Sequence, residues 1–137
     1  MRQFSILLMA GILLTGFGIM EAKNKITVES MPPVVVKTCP LAGMIDVDPS
    51  LKEIRVTFSK EMMTDDMWSW VMLSEESFPE ITGKAKFLED KRTCVAPVAL
   101  ERGKTYAIWF NSERHRAFRD TQNHPAVPYL LVFRTSD

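Results

Sequence analysis

Between Lys52 and Phe58 the chain reads KEIRVTF, so that Ile54, Val56 and Phe58 alternate with Glu53, Arg55 and Thr57. A repeat of two gathers the three apolar side chains on one face of an extended strand, whereas a helix would scatter them. The pattern returns in TYAIWFN, where Tyr106, Ile108 and Phe110 oppose Ala107 and Trp109. Five more short runs carry strand-forming residues: VVVKT, WSWVML, ITGKAKFL, TCVAPVAL and PYLLVFRT. Turn formers separate them, as in CPLAGMIDVDPSL, ESFPE, EDKR and ERG. Gly83 interrupts the fourth run, and Pro97 inside TCVAPVAL argues for an edge strand or a bulge, because proline has no N–H for a ladder. Only 60–70 could accommodate a turn of helix. About seven short strands in roughly 100 residues predict an all-β Greek-key sandwich.

Tyr106 heads one of these strands, just after the turn ERGK. A phenylalanine would fill the same core volume. In Greek-key sandwiches a tyrosine near the start of the penultimate strand turns its hydroxyl back to the backbone just upstream. Tyr106 is therefore read as architecture, with Gly103 permitting the corner's backbone conformation and Leu100 anchoring the preceding strand.

The first 22 residues differ from the rest. MRQ is followed by 17 residues without charge, FSILLMAGILLTGFGIM, and then by polar EAKNK. A basic start, an apolar core and Ala22 at the cut position describe a secretory signal peptide, 1–22. An uncleaved membrane anchor is the rival reading, although the run reaches only the lower limit for spanning a bilayer. Residues 23–31 read as a linker and 32–137 as the sandwich domain. The chain is accordingly expected to be exported, to periplasm, cell surface or medium, without membrane contact once the signal is removed.

Export permits a disulfide. Cys39 and Cys94 are the two cysteines, and pairing them would close a loop of about 55 residues, worth on the order of 4 kcal/mol in the chain-entropy account. The alternative is two reduced thiols packed as small hydrophobes. Basic and acidic residues balance at 17 each, which removes any electrostatic case for nucleic acid as a partner.

Other residues carry side chains suited to chemistry. Asp46 and Asp48 alternate as calcium ligands would, yet no carboxylate cluster lies near them in sequence, and an aspartate-stabilised turn accounts for them. Ser112, His115 and Asp120 include the residue types of a hydrolase triad, but they crowd one loop and Ser112 has no nucleophile elbow. His115 and His124 do not have metal-ligand spacing. No catalytic residue, metal site or cofactor is assigned. Arg114, Arg116 and Arg119 surround Phe118 in the same loop and could clamp a carboxylate or an anionic glycan. Of the tryptophans, Trp68 and Trp70 share a face and at least one should fill core, whereas Trp109 lies opposite the inward residues and is the candidate for an exposed contact. A carbohydrate or small-ligand site would thus comprise Trp109, Arg114, Arg116, Phe118 and Arg119.

Several segments together resemble a known family. Pro40, Gly43, Asp46-Val47, Thr57-Phe58-Ser59 and Met62 fall in a pattern similar to bacterial immunoglobulin-like domains of the S-layer-protein (SbsA) type, with Glu61 where that family's turn usually has proline. The resemblance runs from Pro32 to Ser136 and extends to LERGKTYAIWFNS and YLLVFRT. It implies an immunoglobulin-like sandwich and a non-catalytic module of the envelope or extracellular space, whose partner would be an envelope protein or polysaccharide. It supplies no catalytic residues. The alternative is a dedicated carbohydrate- or small-ligand-binding domain at Trp109 and the arginine loop.

Overall fold

The structure, a computed structural model, describes residues 25–137; the signal segment and the start of the linker lie outside the described residues. Residues 25–30 form a small turn in which Thr27 and Ser30 exchange backbone-to-hydroxyl hydrogen bonds of 2.9 and 3.0 Å. Met31–Asp137 forms a separate compact unit.

That unit is an immunoglobulin-like β-sandwich, and no helix occurs among the described residues. Its strands are β1 (Val35–Cys39), β2 (Glu53–Phe58), β3 (Trp70–Met72), β4 (Glu80–Ile81), β5 (Lys86–Phe87), β6 (Thr93–Ala99), β7 (Thr105–Phe110) and β8 (Tyr129–Arg134). One sheet runs β1-β2-β6-β4, with β5 also on β6; the other runs β3-β7-β8. All the strand pairs are antiparallel. The run ITGKAKFL, read as one strand, is two, which is why there are eight strands instead of seven. Between β4 and β5 the register against β6 slips, from Ile81↔Val98 to Lys86↔Val95.

Pro97 sits at that slip. Although β6 is a central strand, the N–H of Val98 turns to Lys52 of the β2 side, so the nitrogen of Pro97 turns to the other side, where β4 has ended and β5 has not begun. The missing donor falls where the ladder is already broken. The chain bends away at Gly83, and a Cβ there would meet Pro97 Cγ at 3.1 Å.

The alternation places the core. Ile54, Val56 and Phe58 of β2 and Cys94, Ala96 and Val98 of β6 face Tyr106, Ile108 and Phe110 of β7 and Leu131 and Phe133 of β8, all buried. Phe133 stacks on Tyr106 with ring centroids 5.5 Å apart. After β1 the chain crosses to the other sheet and runs parallel to β8. The N–H of Gly43 donates to Val132 O at 2.7 Å, that of Arg134 to Met44 O at 2.8 Å, and that of Val47 to Arg134 O at 3.1 Å. Gly43 makes this crossing at a φ of +86°, a conformation that disfavours a side chain. The crossing also covers the outer edge of β8, which would otherwise offer unpaired backbone groups.

The β6–β7 turn carries the chain from one sheet to the other. The N–H of Glu101 donates to Tyr106 Oη at 2.7 Å, and the carbonyl of the same residue accepts from Thr135 Oγ1. Thr135 Oγ1 also accepts from the N–H of Lys104 at 2.9 Å. Gly103 has a φ of +62°, and a Cβ there would lie 2.8 Å from Asp137 Oδ1. Leu100, half-buried, packs against the core beside the corner.

The candidate disulfide is corrected by the register. Cys39 pairs with Arg55 and Cys94 with Val56, on opposite sides of β2. Two strand spacings, about 10 Å, separate their backbones, well beyond disulfide reach. Neighbouring positions on β2 also point to opposite faces, so Cys39 is exposed and Cys94 buried, and both thiols are free. Burial pushes the Cys94 thiol up to about 12, outweighing the lowering influence of the Trp70 indole and the Val95 N–H. The Trp70 Nε1 nonetheless falls short of a formed hydrogen bond.

Two measurements check this account. Tyr106→Phe should lower unfolding stability by about 1 kcal/mol or more with an unchanged urea slope, since the ring stays and the Glu101 N–H loses its acceptor; an unaltered midpoint would contradict it. Under native conditions DTNB should titrate Cys39 alone, with Cys94 reacting only after denaturation; protection of both thiols would contradict the register.

Candidate functional site

The long connection from β7 to β8 carries most of the residues singled out for binding. It is held by two buried polar side chains that composition alone did not mark. Asn111 follows β7 in a left-handed conformation, φ +65°, and is fully buried. Its amide donates to Phe118 O at 2.9 Å and Ala126 O at 3.0 Å, and its Oδ1 accepts from the Phe118 N–H at 3.0 Å. One side chain thereby ties both arms of the loop to the end of the strand. Asparagine tolerates this backbone better than other non-glycine residues, and its amide supplies donors and an acceptor together.

Asp120 is the second tie, and its carboxylate is wholly buried. It accepts from the N–H groups of Gln122 at 2.9 Å and His124 at 2.8 Å, from His124 Nδ1 at 3.0 Å and from Lys60 Nζ at 2.7 Å. Burial works to raise the pKa of this carboxyl, but Lys60, His124 and Gln122 together hold it below the ordinary value. Met62 makes an isolated bridge to Asp120, so the loop is joined to the turn after β2.

These ties decide where the candidate residues go. Phe118, expected at a ligand, is instead in the core with no exposure; it packs on Phe58 at 4.8 Å and edge-on to Phe110 at 6.2 Å. A loop of this length needs an apolar anchor of its own, and Phe118 is drawn inward because both its N–H and its carbonyl bond to Asn111. Arg119 donates to Asn123 O at 3.2 Å. Arg116 donates from Nε to Glu113 O at 3.0 Å. Both guanidinium groups are engaged with their own loop. Trp109 and Arg114 remain, and they line one groove of about 510 Å³ together with Val71, Met72, His115 and Pro128. The structure thus unites two of the five candidates, leaves Arg116 and Arg119 on the loop outside that groove, and places Phe118 in the core.

The hydrolase residues are spread differently from a triad. Ser112 and His115 close a tight turn, with the Ser112 N–H donating to His115 O at 2.8 Å and the His115 N–H to Ser112 Oγ at 3.2 Å. The imidazole that reaches Asp120 belongs to His124. Asp48 accepts from the N–H and hydroxyl of Ser50 at 2.9 and 2.8 Å, closing a local turn. Trp70 packs edge-on against Phe110 at 4.9 Å, and Lys84 Nζ lies 5.9 Å from the Trp68 ring centre. Both tryptophans rim the core and line a second groove, about 710 Å³, beside β3.

Comparison with known proteins accords with this geometry. Residues 29–135 match the family described as the bacterial Ig-like domain. Among solved structures, the S-layer protein rSbsC is 17% identical with a TM-score of 0.50, over 79% of this chain and 14% of that one. The N-terminal part of the bacterial S-layer protein SbsC is 16% identical, also with a TM-score of 0.50, over 79% of this chain and 24% of that one. At these identities the likeness is one of fold, and the chain spans about a quarter or less of the length of either protein. No curated protein matches the chain.

Asp120→Ala should cost about 3 kcal/mol, as expected when one partner of a buried, hydrogen-bonded charge pair is removed. Because the folded-state pKa is depressed, the carboxylate's contribution is present above the unfolded pKa and lost as pH falls through the folded one. Thermal unfolding against pH should therefore show an acid-side loss of stability that is smaller in Asp120→Asn; parallel curves for the two proteins would contradict this role.

Proposed function

Since the chain belongs to the bacterial Ig-like domain family, we propose that it serves outside the cytoplasm as a non-catalytic structural and interaction module, in contact with an envelope protein or polysaccharide. The observation that carries this reading is the family match over residues 29–135, on a sandwich in which several buried polar side chains hold backbone. Asn111, Asp120, Thr135 and Tyr106 each bond to main-chain groups at a loop or corner. A rigid frame of this kind suits presentation and spacing. The similarity in fold to S-layer proteins supports the same assignment, as does the apolar segment at the N-terminus with the pattern of an export signal.

Export is tested with alkaline phosphatase, which is active only after export, fused behind Asp137. Active fusions in intact cells are expected, and loss of activity on replacing Leu7 and Leu8 by arginine should follow from a broken signal. Inactive wild-type fusions would overturn the extracytoplasmic assignment, whereas active fusions that tolerate the arginines would overturn the role of the apolar segment as the export signal. Esterase and peptidase assays should give no activity that depends on Ser112.

A further inference from the structure

The outer face of the three-stranded sheet presents an apolar row. Trp109 lies between Val71 of β3 and Leu130 of β8 in register, and all three are half-buried. Trp109 points away from the core because its neighbours Ile108 and Phe110 point into it. Pro128 and Met72 extend this floor within the groove of about 510 Å³, inside the range of roughly 300–1,000 Å³ typical of small-ligand sites. The tight Ser112–His115 turn forms a wall, with Glu113 and Arg114 exposed at its tip. Among the described residues Arg116 and Arg119 are engaged with loop carbonyls, whereas the Arg114 guanidinium makes no hydrogen bond or ion pair.

We propose that this groove binds the hexuronate units of an acidic polysaccharide. The C–H face of a pyranose ring packs on an indole, which provides flat contact at little cost in conformational entropy. A guanidinium recognises a carboxylate in a planar, two-pronged geometry. The carboxylate of Glu113, on the same wall, accepts sugar hydroxyls without occupying Arg114. An acidic peptide would satisfy Arg114 but would leave the indole floor uncovered, so the combination favours the sugar acid. This inference deepens the module reading by naming the polymer contacted, and it rests on that reading only for the place where the polymer is met.

The test is calorimetric titration of the purified chain with oligogalacturonate, neutral oligogalactose of equal length, and oligo-aspartate. Oligogalacturonate is expected to bind at least about tenfold tighter than the neutral oligomer, and the preference should weaken as salt rises. Arg114→Gln, a change at an exposed loop tip, should bring the two sugars to equal affinity. Trp109→Ala should abolish binding of both, and Trp109→Phe, which keeps a ring, should retain it. Absence of sugar binding, equal affinity of the two oligosaccharides for the native chain, an unchanged preference in Arg114→Gln, or equally tight oligo-aspartate would each overturn the proposal. Any of these results leaves the export assay and the module assignment intact.

Discussion

The peptide groups of Glu101 mark one of the places where the chain passes between the two sheets. At that residue the chain leaves β6 of one sheet on its way to β7 of the other, and neither sheet's ladder serves its N–H or carbonyl. Tyr106 accepts from the N–H and Thr135 donates to the carbonyl. A partly buried peptide group without a partner would cost more than an ordinary hydrogen bond contributes, so the corner depends on both side chains. Tyr106 sits in β7 and Thr135 just beyond β8, so the last two strands must be in register before the corner closes. Local turn and long-range sheet pairing are thereby coupled.

The same device recurs at the other end of the sandwich. Asn111 and Asp120 replace absent ladder bonds with side-chain bonds and draw Phe118 into the core. This has a functional consequence. With the loop's middle folded inward, its first turn and Pro128 at its end line the groove on the sheet's outer face, and the first turn carries Arg114 to the same groove as Trp109. The frame therefore selects which of three neighbouring arginines meets the tryptophan.

Strand parity was the most legible property. Alternation puts Ile54, Val56 and Phe58 on one face of β2 and Tyr106, Ile108 and Phe110 on one face of β7, and each is buried. The division of ITGKAKFL into two strands was signalled only by Gly83, and the central position of the proline-bearing β6 ran against the usual placement of proline in sheets. That placement works because the gap after Ile81 lies opposite the missing donor, a fact about the neighbouring strand and not about Pro97. Asn111 carries no sequence pattern, and Asp120 stands out only as a residue type of a triad it does not form; a polar residue in a loop is ordinarily solvated. Their importance comes from the backbone groups that folding leaves near them.

Alternation acts between neighbours along one strand, so the sequence by itself determined the fold class, the inward faces of the main strands and the tyrosine at the corner. Which residues meet across strands is set by register, order and loop path, and those come from the whole packed chain. The tertiary structure decided that Cys39 and Cys94 stand on opposite faces of one sheet, that Phe118 is core, and that Arg114 and Trp109 share a groove. Each depends on separations between segments distant along the chain, and no local propensity encodes such distances.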